Sequence, residues 1–166
     1  MQSAKVCVVG DFAVGKTSTV ERFVSNTFSA KYLTTLGVKV DTYVVDDGER
    51  PPLKLVLWDV AGTERFSQRE FAYLRGAAAY LLVADGTRKP TLGSALSLSE
   101  DITAAFGERP RLLLLNKSDL ASSWELDDAD TAMMQQAGLP FMASSAKTGV
   151  GVTEAFTQLA DMIINT

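Results

Sequence analysis

Two apolar runs limit the folds that are open to this chain of 166 residues. Residues 79–84 and 111–115 show no alternation of polar and apolar side chains. Such runs are typical of strands in a parallel sheet that is covered on both faces. A stretch with helical spacing follows each run, so we predict a doubly wound α/β domain with helices on both faces of the sheet.

Turn residues and spacing place the other strands. Residues 5–9 are a short apolar run that ends at Gly10, and residues 140–143 are a brief last strand. Residues 38–45 and 53–58 flank the turn signal Asp46-Asp47-Gly48, which predicts an antiparallel hairpin. The sequence therefore predicts a six-stranded, mostly parallel sheet with one antiparallel edge strand. We expect residues 1–166 to form a single domain.

Helices are predicted between these strands. Residues 17–25 have apolar positions at helical spacing, and a last amphipathic helix contains Phe156 and Leu159. Gly107 and Gly138 follow two further helical stretches and predict where those helices end.

Charge and residue types exclude several function classes. The net charge of −4 argues against a general nucleic-acid-binding surface, which normally carries a basic patch. The chain has no histidine, which leaves oxygen-ligated Mg²⁺ as the natural metal. Its only cysteine, Cys7, lies in an apolar run and is interpreted as a buried hydrophobic residue. With no transmembrane segment and no lipidation motif, we expect a cytoplasmic protein.

The segment from Gly10 to Thr17 matches the pattern GxxxxGK[ST] between a predicted strand and a predicted helix. Glycines in such a loop let backbone amides turn inward around phosphate oxygens, and the helix adds its positive end. Lys16 would reach the terminal phosphates, and the Thr17 hydroxyl would ligate Mg²⁺. The predicted nucleotide contacts in this loop are Asp11, Phe12, Ala13, Val14, Gly15, Lys16, Thr17 and Ser18.

Three further motifs follow predicted strands, at the sheet edge where ligands of such folds bind. The second motif, Asp59-Val60-Ala61-Gly62, offers a carboxylate for Mg²⁺ and the Gly62 amide for a γ-phosphate. The alternative for Asp59 is a helix N-cap.

The other two motifs indicate which base is bound. In Asn116-Lys117-Ser118-Asp119, the Asp119 carboxylate can accept hydrogen bonds from the ring N–H and the amine of guanine, which adenine lacks there. Ser145-Ala146-Lys147 has small residues that would let backbone amides approach the guanine carbonyl. Because Asp119 selects guanine, an adenine-specific ATPase or small-molecule kinase is disfavoured.

Together these motifs resemble those of the Ras-like small GTPases, and most closely the Rab branch. The similarity covers the whole chain and includes Lys31-Tyr32-Leu33-Thr34-Thr35, Trp58-Asp59-Val60-Ala61-Gly62-Thr63-Glu64-Arg65-Phe66 and Tyr73-Leu74-Arg75-Gly76-Ala77. The phosphate loop is similar to that of bacterial Rab-like GTPases. The resemblance implies the G-domain fold of P-loop NTPases, GTP or GDP with Mg²⁺ as ligands, and GTP hydrolysis.

The resemblance also implies roles for individual residues. Phe28 would pack against guanine, Lys117 would pack along the base, and Thr35 would ligate Mg²⁺ only in the GTP state. Switch I (about 28–37) and switch II (about 59–73) would be ordered by the γ-phosphate and read by protein effectors and regulators. The residues expected to take part in hydrolysis are Lys16, Thr35, Gly62 and Thr63.

Three residues depart from the family pattern. Thr63 stands where a glutamine usually orients the attacking water, so we predict slow hydrolysis. Phe12 replaces a small residue where an activator's arginine would enter; alternatively, its ring packs on switch II and shields the phosphates. Val40 replaces an aromatic residue of a surface that binds Rab effectors. The main alternative function is a GTP-binding interaction module with negligible hydrolysis.

Overall fold

The computed structural model describes residues 1–24, 32–33, 38–60 and 68–166, without the side chains of residues 32, 33, 68 and 69. Seven strands lie in these ranges: β1 (Gln2–Gly10), β2 (Tyr32–Leu33), β3 (Val38–Val45), β4 (Leu53–Val60), β5 (Ala79–Asp85), β6 (Arg111–Asn116) and β7 (Phe141–Ala143). The helices of the same ranges are α1 (Lys16–Val24), α2 (Gln68–Ala72), α3 (Pro90–Phe106), α4 (Asp128–Gln136) and α5 (Val152–Ile164), with a 3₁₀ turn at Ala121–Ser123.

The described strands form one sheet in the order β2-β3-β4-β1-β5-β6-β7. β3 runs antiparallel to both of its neighbours, and the other strand pairs are parallel. The predicted fold class is confirmed, with the short strand β2 added outside β3. Tyr32 pairs with Val40 and Leu33 with Lys39, a segment too short to show a periodicity in the sequence.

The hairpin between β3 and β4 forms at the predicted turn. The Gly48 amide donates to the Asp46 carboxylate at 3.0 Å, and the Glu49 amide donates to the Asp47 carboxylate at 3.0 Å. Gly48 adopts a left-handed backbone with φ of 76°, which glycine tolerates without steric cost. Local side-chain bonds therefore fix the register of the pair.

Each face of the sheet carries its own apolar cluster. In β5, Leu81 belongs to the cluster beneath α1 and α5, and Leu82 belongs to the cluster beneath α3 and α4. Both side chains are fully buried, and each contributes about 1.5–3 kcal/mol through that burial. The continuous apolar run in this strand is thus explained by helices on both sides.

Glycines end two helices as predicted. Gly107 caps α3 with φ of 83° and donates its amide to the Thr103 carbonyl at 2.9 Å. Gly138 follows α4 with φ of 66°, the left-handed conformation that ends many helices. In the described ranges, no helix is long and apolar enough to span a bilayer.

The sheet brings several strand ends to one edge. Asp85 at the end of β5 is in register with Asn116 at the end of β6. Gly10, at the end of β1, lies so close to β5 that a Cβ there would be 2.3 Å from the Val83 carbonyl oxygen. A side chain at this position would push β1 away from β5, so glycine is required where the first motif begins.

The burial of Cys7 gives a testable prediction. Its thiol is fully buried in β1, and burial raises the pKa of Cys7 to about 12, although nearby Lys5 opposes the rise. At pH 8 only about one thiol in ten thousand would be ionised. We expect a thiol reagent to leave the folded protein unlabelled for hours and to label one thiol per chain in guanidinium chloride. Rapid labelling of the folded protein would contradict this buried position.

Candidate nucleotide site

The ammonium group of Lys16 closes the first part of the phosphate loop. It donates to the carbonyl oxygens of Gly10 at 3.1 Å and Asp11 at 2.8 Å. The side chain is buried, and this burial lowers the pKa of Lys16 against the opposing effects of Asp59 and Asp11. A buried cation at this place would gain from a negatively charged ligand.

The next three carbonyls of the loop are held from outside by side chains. Arg88 Nη2 donates to the Phe12 carbonyl at 2.9 Å, and Lys117 Nζ donates to the Ala13 carbonyl at 3.1 Å. Asn116 Nδ2 donates to the Val14 carbonyl at 2.9 Å. The donors come from the loop after β5 and from the end of β6, so the fold itself fixes the loop.

The orientation of these carbonyls fixes the direction in which the N–H groups of the following residues point. In a planar trans peptide the N–H of one residue points opposite to the C=O of the residue before it. The amides of Ala13, Val14 and Gly15 therefore point away from the side-chain donors. In the described part of the chain these three amides have no acceptor, so they are free to bind the oxygens of a phosphate.

Thr17 and Asp59 bring two oxygens together at the start of α1. The Thr17 hydroxyl donates to the Asp59 carboxylate. Asp59 is buried at the end of β4, and burial raises its pKa, although Thr17, Lys16 and Lys39 oppose the rise. The alternative role of Asp59 as a helix N-cap is wrong, because Asp59 lies within β4, which continues to Val60. Its carboxylate accepts the Thr17 hydroxyl instead.

The chemistry of this oxygen pair fits Mg²⁺. The ion is commonly held by one or two protein oxygens together with phosphates and water. Within the described ranges, no group of three or more acidic, cysteine or histidine side chains could hold a metal. Thr17 and Asp59 would hold such an ion only together with oxygens of a bound phosphate and of water.

A cavity of ≈ 650 Å³ extends from the phosphate loop to the ends of β6 and β7. It is open to solvent. Its lining includes several predicted contacts: Gly15, Ser18, Asn116, Lys117, Asp119, Ala146 and Lys147.

Three hydrogen bonds organise the far end of this cavity. Ser145 Oγ donates to Asp119 Oδ1 at 2.8 Å and accepts the Thr148 amide at 3.0 Å. The Ala146 amide donates to Asn116 Oδ1 at 3.1 Å. The third and fourth motifs therefore meet as the sequence predicts, and Asp119 keeps one carboxylate oxygen free of these contacts.

Asp85 and its ion-pair partner Arg88 are residues of the site that the sequence analysis did not identify. Asp85, 1% exposed, accepts Lys117 Nζ at 2.8 Å, Arg88 Nε at 3.0 Å and both the amide and the hydroxyl of Thr87. Burial alone would raise the pKa of Asp85, but these hydrogen bonds lower it to about 2. The available signal was position: Asp85 directly follows the apolar run 79–84, at a strand end like the other motifs.

Among the other predicted residues, the structure describes Phe12 and Val14 but not four further residues. Phe12 is 67% exposed, whereas Val14 is fully buried, so the Val14 side chain is not available to a ligand. Phe28, Thr35, Gly62 and Thr63 lie outside the described residues, as does any contact of Phe12 with residues 61–67.

Comparison with known proteins decides the family. A model of the Ras family matches residues 5–165. The chain is 36% identical over 161 residues to Ras-related protein SEC4 of Saccharomyces cerevisiae, covering 96% of the chain and 74% of SEC4. It is 36% identical to Ras-related protein Rab-7L1 of Rattus norvegicus over 168 aligned positions, covering 97% and 82%. Ras-related protein Rab-26 of Bos taurus is 40% identical over 160 residues, covering 94% and 62%.

The chain belongs to the Ras family. The relatives assign it to the Rab-like branch of small GTPases, which confirms the resemblance seen in the motifs. This small GTPase is thus a GTP-binding switch and an enzyme that hydrolyses GTP.

One buried position of the GTPase departs from the family pattern. Val40 is buried in β3, in register with Trp58 of β4. The half-buried Trp58 ring carries the Lys5 ammonium 3.9 Å from its centroid, a cation–π contact. Lys5 also donates to the carbonyls of Tyr73 at 2.6 Å and Arg75 at 2.8 Å. Lys5 therefore ties the chain after α2 to the central strand.

The lowered pKa of Asp85 predicts how stability depends on pH. Because the folded-state pKa is about 2 and that of free aspartate is about 3.9, the stabilisation is complete above pH 5. It is lost as the pH falls from about 4 to about 2. We expect Asp85→Asn to lower the free energy of unfolding of the nucleotide-free GTPase by about 2 kcal/mol at pH 7, measured by urea denaturation.

The control for this measurement is Asp101→Asn, which changes an exposed aspartate in α3. The difference between wild type and Asp85→Asn should shrink below pH 4, whereas Asp101→Asn should follow wild type throughout. A difference that stays constant down to pH 3 would contradict a charged, hydrogen-bonded Asp85.

Proposed function

We propose that this GTPase cycles between a GTP·Mg²⁺ state and a GDP state and hydrolyses GTP slowly because Thr63 stands in place of the catalytic glutamine. The cavity that is lined by Gly15 of the phosphate loop and by Asp119, whose carboxylate Ser145 holds, carries this proposal. It provides donors for phosphates at one end and an oriented carboxylate for a base at the other. We propose residues 1–166 as a single G domain.

Selection of guanine follows from the carboxylate of Asp119. Ser145 holds one oxygen of this carboxylate at 2.8 Å, which fixes the direction of the carboxylate at the far end of the cavity. Guanine offers a ring N–H and an amine to this group, whereas adenine would leave the carboxylate unpaired once the base covers it. An unpaired polar group at a base site costs about 1–3 kcal/mol or more, so adenine nucleotides would bind far more weakly.

The phosphate end would stabilise charge rather than attack the substrate. Lys16 and the inward amides would hold the β- and γ-phosphates, and Thr17, Asp59 and Thr35 would hold Mg²⁺, which neutralises phosphate charge when bound. Gly62 would donate its amide to the γ-phosphate. Thr63 is too short to orient the attacking water as a glutamine amide does, and this loss of positioning is the reason for slow turnover.

The exposed ring of Phe12 supports a second feature of the hydrolysis. Phe12 is 67% exposed and lies at the position through which an activator's arginine would approach. We propose that an arginine finger of the usual geometry is excluded. The same exposure and Thr63 favour the alternative function, a GTP-binding module that stays in one state.

Protein effectors and regulators that read switch I and switch II belong to this proposal. Val40, which stands where Rab proteins usually carry an aromatic residue and is buried in β3, supports the proposal that the partners are not eukaryotic Rab effectors. The cytoplasmic location expected from the sequence stays a prediction.

The base assignment is tested by the nucleotide that copurifies with the protein and by the variant Asp119→Asn. We expect guanine nucleotide in denatured wild type. The amide of the variant should weaken GTP binding at least about a hundredfold and allow xanthosine triphosphate to bind. Asp128→Asn, at an exposed residue at the start of α4, is the matched control and should keep the GTP preference. Copurified adenine nucleotide, or GTP preference retained in Asp119→Asn, would sink the assignment.

Single-turnover hydrolysis of [γ-³²P]GTP distinguishes the two proposed functions, a slow switch and an interaction module. Wild type should release phosphate slowly, and Thr63→Gln should release it at least about ten times faster. Thr63→Val has a similar shape but no polar group, and it should not gain activity. If wild type releases no phosphate over hours while the nucleotide stays bound, the interaction module replaces the slow switch.

A further inference from the structure

Two positively charged side chains with a shared anchor hold the phosphate loop of this protein. Arg88 Nε and Lys117 Nζ both contact Asp85 Oδ2, at 3.0 and 2.8 Å. The same two side chains then reach two consecutive loop carbonyls, those of Phe12 and Ala13. One buried carboxylate thus organises both donors.

The backbone at both ends of this network is strained. Among the described residues, Ala13 with φ of 61° and Lys117 with φ of 69° are the only residues other than glycine with a positive φ. A left-handed backbone costs a residue with a Cβ about 1–2 kcal/mol. The two strained residues are joined to each other by the hydrogen bond from Lys117 to Ala13, so external contacts must keep this arrangement in place.

We propose that Arg88, anchored by Asp85, is a positioning residue for phosphate binding, a role that rests on the proposed binding of guanine nucleotide. Arg88 keeps the Phe12 carbonyl turned outward, and the planar peptide then turns the Ala13 amide toward the nucleotide phosphates. Arg88 does not line the cavity, and its side chain is 45% exposed. Its effect is therefore on the phosphates through the loop, with no contact to the base.

This role predicts that loss of Arg88 weakens the binding of GDP more than the binding of GMP. Without Arg88 the peptide between Phe12 and Ala13 can rotate, and the Ala13 amide no longer meets the phosphates at fixed orientation. We expect Arg88→Gln to release GDP about five to ten times faster, measured with a fluorescent GDP analogue. Binding of GMP, measured by competition, should change less than twofold, because a monophosphate cannot reach the whole loop. Arg88→Lys keeps a cationic donor and should restore part of the slow release.

The control is Arg109→Gln, which removes an exposed arginine whose side chain donates to the neighbouring Glu108 carbonyl. It should leave both the release of GDP and the binding of GMP unchanged. Thermal denaturation with saturating GDP should show that Arg88→Gln remains folded. Equal weakening of GDP and GMP would overturn the proposal, since Arg88 would then act on the whole site, and unchanged GDP release would also overturn it.

The anchor is tested by combining variants. In an Asp85→Asn background, Arg88 has lost its charged partner, so adding Arg88→Gln should accelerate GDP release less than it does in wild type. Strictly additive effects would show that Arg88 acts without Asp85. If wild type retains neither GDP nor GMP, the proposed function itself fails and the positioning role falls with it, whereas failure confined to Arg88→Gln leaves the function intact.

Discussion

The side-chain amide of Asn116 joins the three loops on which the nucleotide site depends. Its NH₂ group donates to the Val14 carbonyl of the phosphate loop, and its oxygen accepts the Ala146 amide of the loop after β7. A carboxylate could not donate the first bond, and an amine could not accept the second. Gly15 lies so close that a Cβ there would be 2.2 Å from Asn116 Nδ2. These contacts consequently fix the distance between the end of the site that would bind phosphate and the end that would bind the base.

Charge burial is the main cost of this site, and neighbouring charges offset it. Asp85 is buried but surrounded by four donors, which keeps its carboxyl ionised. Lys16 and Asp59 are each disfavoured as ions by burial, and each favours the ionised form of the other. Asp41 in β3 is an exception, since both of its carboxylate oxygens are buried without a partner among the described residues.

Much of this arrangement could be predicted because its signals are local. The run 79–84, the hairpin turn and the capping glycines each depend on neighbouring residues, and the motif at Gly10–Thr17 needs only a strand before it and a helix after it. Arg88 has no such signal, because its bond to the Phe12 carbonyl exists only once β1 and β5 are paired. Strand β2 has two residues, too few for a pattern. Phe28, Thr35 and Thr63 lie outside the described residues, so their roles stay predictions.

The central position of β1 has a consequence for synthesis on the ribosome. The phosphate loop is among the first segments to emerge, yet the side chains that hold the carbonyls of Phe12, Val14 and Ala13 follow 76, 102 and 104 residues later. The first strand also waits for β4 and β5 before either of its edges is paired. A nascent chain that stalls before β5 is complete would therefore expose at least one unpaired edge of this apolar strand and would lack the side chains that hold the phosphate loop, and exposure of this kind favours aggregation.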